Sequence, residues 1–246
     1  MFDQLPLLVS PSQVRSKVRS WRAFGEKVAL VPTHGPVHEG HTELIRSAQQ
    51  MAERVLAVVD PQVDEDRREA DLELLDAERV DAIYTPTAQA LLPPGFATRI
   101  SVPGVTDVME GADDATPFER RALITLKLLL QAQPDHVMFC ESDWQLKVAL
   151  DRISIDLDVP VARETATIAR DMDGIVMAAG LERLDGASRA AARALNPALR
   201  DAAAAILEGA PVPTALATAR DRLIGAGARV RFLDARGEET LAPAPT

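Results

Sequence analysis

The chain has 246 residues, 47 % of them apolar and 26 % charged, and a net charge of −10. That length buries a full core in one domain or one with a smaller companion, while the acidic balance argues against a general nucleic-acid surface. One cysteine, Cys140, excludes an internal disulfide and fits a reducing cytoplasm, and with no apolar run of spanning length neither a secretory leader nor a membrane span is expected.

Ser10-Pro11-Ser12 starts a helix over 11–24 whose apolar face carries Val14, Val18, Trp21 and Phe24. The apolar run at 28–33 reads as a buried strand, and Thr42, Glu43, Leu44, Ile45 and Ala48 open a helix over 42–52. Residues 54–59 suit a parallel strand, 65–79 a charged helix with a solvated face, and 81–84 the next strand. Pro93-Pro94-Gly95 marks a turn before an extended stretch at 98–102. After an acidic loop over 111–117 come a helix at 118–132, a strand at 136–139 and a helix at 143–152 behind a Ser142/Asp143 cap. A last strand region ends at 160–162. Beyond residue 184 the chain turns Ala-rich, with helices at 187–207 and 213–224, a strand at 229–233 and a mobile Pro/Ala-rich tail at 241–246. This alternation predicts an α/β fold: a doubly wound, Rossmann-like parallel sheet over 1–184, with a small α+β C-terminal domain over 185–246.

Ligands of such sheets sit at the carboxyl ends of the strands. At one such end stands Pro32-Thr33-His34-Gly35-Pro36-Val37-His38-Glu39-Gly40-His41. A strand-turn-helix aims backbone N–H groups and a positive helix dipole at whatever lies above it, which makes an anion site. The imidazoles of His38 and His41 add donors, and Gly40 lets them approach a phosphate closely. Two other readings stand beside this one. His34, His38 and His41 could hold a metal, although no Cys or carboxylate cluster accompanies them; or the histidines merely cap the helix. Glu39 suits the helix N-terminus, and Cys140 reads as a small buried hydrophobe.

The ten-residue stretch resembles the signature of the pantothenate synthetase (pantoate–β-alanine ligase) family, HxGH nucleotidyltransferases that read Pro-Thr-Met-Gly-Ala-Leu-His-Glu-Gly-His. Eight of the ten positions match or, as Val for Leu, change little. The similarity continues through Val58-Val59-Asp60-Pro61-Gln62, through Phe139-Cys140-Glu141-Ser142-Asp143-Trp144-Gln145-Leu146, and through Arg170-Asp171-Met172-Asp173-Gly174-Ile175-Val176-Met177. In that family, ATP with Mg2+ converts the pantoate carboxylate to an acyl-adenylate and releases pyrophosphate. β-Alanine then attacks, giving pantothenate and AMP. The resemblance implies that His38 and His41 are catalytic and that Pro32, Thr33, His34, Gly40, Asp143 and Met177 line the nucleotide. It places Gln62 and Gln145 at the acid, requires no protein-bound metal, and implies a homodimer that takes small-molecule ligands, neither nucleic acid nor membrane.

Departures fall at the functional positions. Ser142 replaces the family's phosphate-binding Lys, and Lys147 lies about 140° further around a helix. Ala178-Ala179-Gly180-Leu181 replaces a phosphate-gripping Ser-Ser-Arg-Asn, and Asp114-Ala115-Thr116-Pro117-Phe118 replaces Arg-Pro-x-His-Phe. Val63 and Leu146 align with the pantoate-holding glutamines, and a Tyr-Pro-Arg segment is largely deleted between Asp64 and Arg68. Losing three charge-assisted contacts costs roughly 10³- to 10⁶-fold in transition-state stabilisation. The expectation is therefore a divergent paralog with weak or absent ligation, acting through ligand or partner binding, including a complex with a true synthetase. The alternative is an active carboxylate–amine ligase, in which Arg67/Arg68 or Arg120/Arg121 supply the charge from another direction.

Overall fold

The central strands send alternate side chains into two apolar layers, and this decides the architecture. The structure, a computed structural model, describes residues 5–244. Strands β1 (Leu7–Leu8), β2 (Val28–Pro32), β3 (Arg54–Val58), β4 (Ala82–Tyr84), β5 (His136–Cys140) and β6 (Ala162–Ala166) form one sheet in the order β1-β4-β3-β2-β5-β6. Every pairing is parallel. Val28, Leu30, Leu56, Val58, Tyr84, Val137 and Phe139 face α1 (Pro11–Arg22), α5 (Thr116–Ala132) and α6 (Trp144–Asp156). Ala29, Val31, Val55, Ala57, Ile83 and Met138 face α2 (Glu39–Met51) and α3 (Glu65–Ala77).

The chain winds outward from β2 through β3 to β4, passes the short α4 (Ala88–Leu91), and then returns to the other side of β2 as β5. The order reverses there, and the carboxyl ends of β2 and β5 diverge around a crevice. This is the α/β, doubly wound parallel sheet expected from the alternation.

Several boundaries need correction. Helix α1 stops at Arg22, which leaves Phe24 exposed beyond its end. Helix α2 starts at Glu39 rather than 42, so Gly40 and His41 belong to its first turn. In α3 the face is not wholly solvated, because Asp71 and Leu75 are buried. The last strand begins at Ala162, where it was expected to end, because Pro160 has no N–H to pair. Residues 98–102 form no strand, and none forms at 229–233. Helices α7 (Gly186–Leu207) and α8 (Val212–Gly225) pack as a hairpin on their own cluster of Ala198, Ala202, Ala215, Ala219 and Leu223. The α+β C-terminal expectation thus reduces to a helical hairpin plus one antiparallel bridge, Arg236 to Pro243. The tail is anchored at its start rather than loose: Leu241 is buried in the main core, and just before it the Glu238 carbonyl accepts from Trp144 Nε1 at 3.0 Å. Pro245 and Thr246 lie outside the described residues. No helix among the described residues is long and apolar enough to cross a membrane.

One buried polar pair crosses between the sheet and α5. Tyr84 is fully buried, its hydroxyl donates to Gln131 Oε1 at 2.8 Å, and burial raises the phenol to about 12. Tyr84→Phe strands the amide oxygen and should lower stability by about 1–2 kcal/mol in urea denaturation; an unchanged midpoint would show that the bond carries no net weight.

Candidate active site

The site grows from the end of β2. Thr33 continues the strand's pairing, its N–H and hydroxyl both donating to Val58 O at 3.0 and 2.8 Å. Gly35 takes φ +93°, open to glycine without strain, and its N–H donates to Asp60 Oδ2 at 2.9 Å. The turn then delivers His38 as the N-cap of α2.

Orphan N–H groups at a helix start need acceptors. The Gly40 amide donates to His38 Nδ1 at 3.1 Å, and the His38 amide donates to His41 Nδ1 at 3.3 Å. A neutral ring that accepts at Nδ1 carries its proton at Nε2. The rings lie 4.0 Å apart, tilted by 41°. Burial, with smaller effects from His38 and His34, lowers His41 to about 3. Burial and the Arg121 charge, opposed by Asp60, lower His34 to about 4. Both rings are therefore neutral at pH 7. The capping reading and the donor reading describe two nitrogens of the same ring.

Gly40 needs its missing side chain for a reason internal to the chain. A Cβ there would meet Met177 O at 2.6 Å and His38 Cε1 at 2.8 Å. The position of the missing side chain is taken by Met177 O and the His38 ring, while the Gly40 backbone still lines a cavity.

Pro32, His34, His38, Gly40 and His41 share a cavity of about 260 Å³ with Ser142 and Asp143, from the end of β5, and with Met177 and Arg121. Burial raises Asp143, against a smaller lowering by Arg121. Its carboxylate does not cap α6, contrary to the helix-cap reading. A neighbouring pocket of about 160 Å³ contains Thr33, His34, Gln62, Arg120 and Arg121. Thr33 thus lies in the smaller pocket, and Gln62 is exposed at its wall, its backbone held by Asp60 Oδ1 at 2.8 Å.

Arg121 and His34 form the partition between the two spaces. Thr125, one turn beyond Arg121 on α5, lies 3.4 Å from His34 Nε2 and donates to Arg121 O at 3.0 Å. The guanidinium pairs with Glu110 at 2.8 Å, while its Nε is buried with no hydrogen-bond partner among the described residues. The helical phase of buried Phe118, Ala122 and Thr125 is the signal that turns Arg121 toward this partition.

Gln145 is a correction. Its Nε2 donates to Val105 O and Val108 O at 2.8 and 2.7 Å, and its Oε1 accepts from Glu110 N at 3.2 Å. The carboxamide holds the loop under Arg121 and does not line either pocket. Lys147 pairs with Asp151 at 2.9 Å and lies over the Trp144 ring, away from the histidines. Arg67 donates to Val37 O at 2.6 Å, and Arg68 to Val63 O at 3.3 Å. Among the described residues, no three His, Cys, Asp or Glu side chains are gathered to hold a metal.

Comparison with known proteins matches residues 7–245 to the family described as Pantoate-beta-alanine ligase. The chain is 39 % identical to the pantothenate synthetase of Caulobacter vibrioides, over 90 % of this chain and 82 % of that protein. It is 35 % identical to the pantothenate synthetase of Cereibacter sphaeroides, over 97 % and 90 %. Among solved structures, the pantothenate synthetase of Thermus thermophilus superimposes with a TM-score of 0.85 at 28 % identity, covering 98 % of this chain and 90 % of that one. The pantoate-beta-alanine ligase of Francisella tularensis, described in complex with beta-gamma ATP and beta-alanine, shares the fold with a TM-score of 0.78 at 19 % identity, covering 95 % and 90 %.

Because His34 and His41 resist protonation in the native state and accept it when unfolded, their contribution is intact above about pH 6.5 and is lost as pH falls toward 4. Each costs about 1.4 kcal/mol per pH unit across that window. Between pH 7 and pH 5, His41→Gln should lose roughly 2 kcal/mol less stability than the parent chain in urea denaturation. Equal losses would place His41 in a solvated, ordinary environment.

Proposed function

This chain belongs to the pantoate–β-alanine ligase family, and from that premise we propose that it is a working AMP-forming ligase that joins pantoate to β-alanine. The curated relatives from Caulobacter and Cereibacter are pantothenate synthetases, which favours turnover over the inactive paralog expected from the departures. The substrate is Mg·ATP, with Mg2+ arriving on the nucleotide. A pantoate carboxylate oxygen attacks the α-phosphorus, the bridging P–O bond breaks and pyrophosphate leaves. The β-alanine amine then attacks the acyl carbon, the acyl C–O bond to AMP breaks, and the amine proton passes to solvent.

The Nε2–H groups of His38 and His41 donate to phosphate oxygens, neutral donors in a desolvated cavity. Asp143, Pro32, His34, Gly40 and Met177 contact the nucleotide, Thr33 lines the smaller pocket, and Gln62 meets the acid there. The carrying observation is Arg121. It stands on the wall common to both spaces, with a buried Nε that no acceptor among the described residues uses. A cation there draws the acid's carboxylate and the α-phosphate together and replaces charge lost where Ser142 and Gly180 stand. We further propose that α7–α8 forms a separate small domain, supported by its own apolar cluster, and that the enzyme works as a homodimer.

A second reading has two observations behind it: residues 178–180 are Ala, Ala and Gly, and Lys147 is paired with Asp151. In that reading the chain binds a nucleotide or acyl ligand, or an active synthetase subunit, without turnover.

With Mg·ATP, pantoate and β-alanine, the protein should form AMP and pantothenate in equal amounts. Arg121→Ala should lower kcat/KM by roughly 10- to 150-fold, and Arg121→Lys by less. Tight Mg·ATP binding without AMP formation would instead select the second reading.

A further inference from the structure

The cavity wall opposite β5 is a short hairpin over residues 169–177 that belongs to no sheet. Arg170 bridges Val176, Met177 N donates to Ala169 O at 2.9 Å, and Gly174 N donates to Asp171 O at 2.9 Å. Asp171 Oδ1 fastens the tip by accepting from the Asp173 and Ile175 amides, each at 2.9 Å. At its far end the hairpin rests Met177 O against Gly40, beside the His38 ring. Ile168, Ala169, Val176, Met177 and Ala178 give the nucleotide cavity that wall.

The outer side of the hairpin is held by α7. Arg189, in the first turn and a half of that helix, donates to Asp171 Oδ2 at 2.6 Å and to Asp173 Oδ2 at 2.6 and 2.8 Å. Arg193, one turn on, pairs with the other oxygen of Asp173. Against burial, the Ile175 and Asp173 amides, with Arg189 behind them, hold the Asp171 carboxyl below its ordinary range, and Arg193 and Arg189 hold Asp173 there. Asp185 fixes the start of the helix by accepting from Ser188 N at 2.7 Å. A planar fork that grips two carboxylates fixes direction as well as distance. A shift of α7 therefore moves the hairpin, and the hairpin carries Met177 O against the histidine turn.

We propose that Arg189 is a positioning residue for the nucleotide site: through Asp171 and Asp173 it sets the hairpin against Gly40 and thereby the spacing of the His38 and His41 rings. This rests on reading the cavity as the nucleotide site, but the contact chain itself does not.

The test compares the parent chain with Arg189→Gln, Arg189→Lys and Asp173→Asn by amide hydrogen exchange and by calorimetric titration with Mg·ATP. Arg189→Gln should speed exchange about tenfold at Met177 and at Gly40 and His41, more than 140 residues away in sequence, with α8 unchanged. It should also weaken Mg·ATP binding about fivefold to tenfold, with Arg189→Lys recovering part of both effects. Arg222→Gln, which breaks the Arg222–Asp201 pair inside the helical hairpin, should leave residues 38–41 unaffected. Unchanged exchange at 38–41 in Arg189→Gln overturns the proposal, whatever the nucleotide does. Failure of the parent chain to bind Mg·ATP would count against the ligase reading alone, and the exchange comparison would still decide this one.

Discussion

Two hydrogen bonds govern this site: Gly40 N–H to His38 Nδ1 and His38 N–H to His41 Nδ1. A buried backbone donor left unpaired costs about 1–3 kcal/mol, so the helix start demands acceptors where it leaves the sheet. By supplying them from the inner nitrogen, each ring is committed to the tautomer with its proton on the outer one. The stabilising requirement of α2 thereby orders the chemistry above it. An aspartate cap would satisfy the backbone equally well and, as an acceptor only, would leave nothing to donate.

The price of this arrangement is charge. Desolvation keeps His34 and His41 neutral, so the imidazoles bring N–H dipoles and no net positive charge. In a chain of net charge −10, a triphosphate needs a cation that burial cannot neutralise, and arginine is the side chain that meets this condition. Arg121 stands between the two spaces, with Glu110 holding one nitrogen and Gln145 fixing the loop from which Glu110 projects. The fold reversal between β2 and β5 makes the meeting possible, because it brings the ends of strands more than 100 residues apart in sequence to one crevice.

How much of this was legible in the sequence varied with the physics involved. Strands β2, β3 and β5 were plain because a strand buried on both faces is a continuous apolar run. Strand β6 was not: it lies at the edge of the sheet and carries Arg163 and Glu164, whose polarity hides it, and β1 is two residues long. The Arg-Val-Arg-Phe-Leu run at 229–233 alternates like a strand but has no partner strand. The motif at 32–41 was readable as a strand-turn-helix with histidines at the helix start, whereas the use of Gly40 by Met177 O was not, since the contact spans 137 positions (177 − 40). Gln145 was misplaced for a related reason. Its neighbours along the chain place it at the site, but its carboxamide turns to Val105 and Val108, a choice made only by tertiary packing.

The most direct measurement is nitrogen-15 NMR of the histidine side chains in the ligand-free protein, titrated from pH 7.5 to pH 5. The account predicts that His38 and His41 are both neutral at pH 7.5 with the proton on Nε2, and that His41 stays so through the whole range. A proton on Nδ1 of either ring at pH 7.5, or a His41 imidazolium appearing near pH 6, would contradict it.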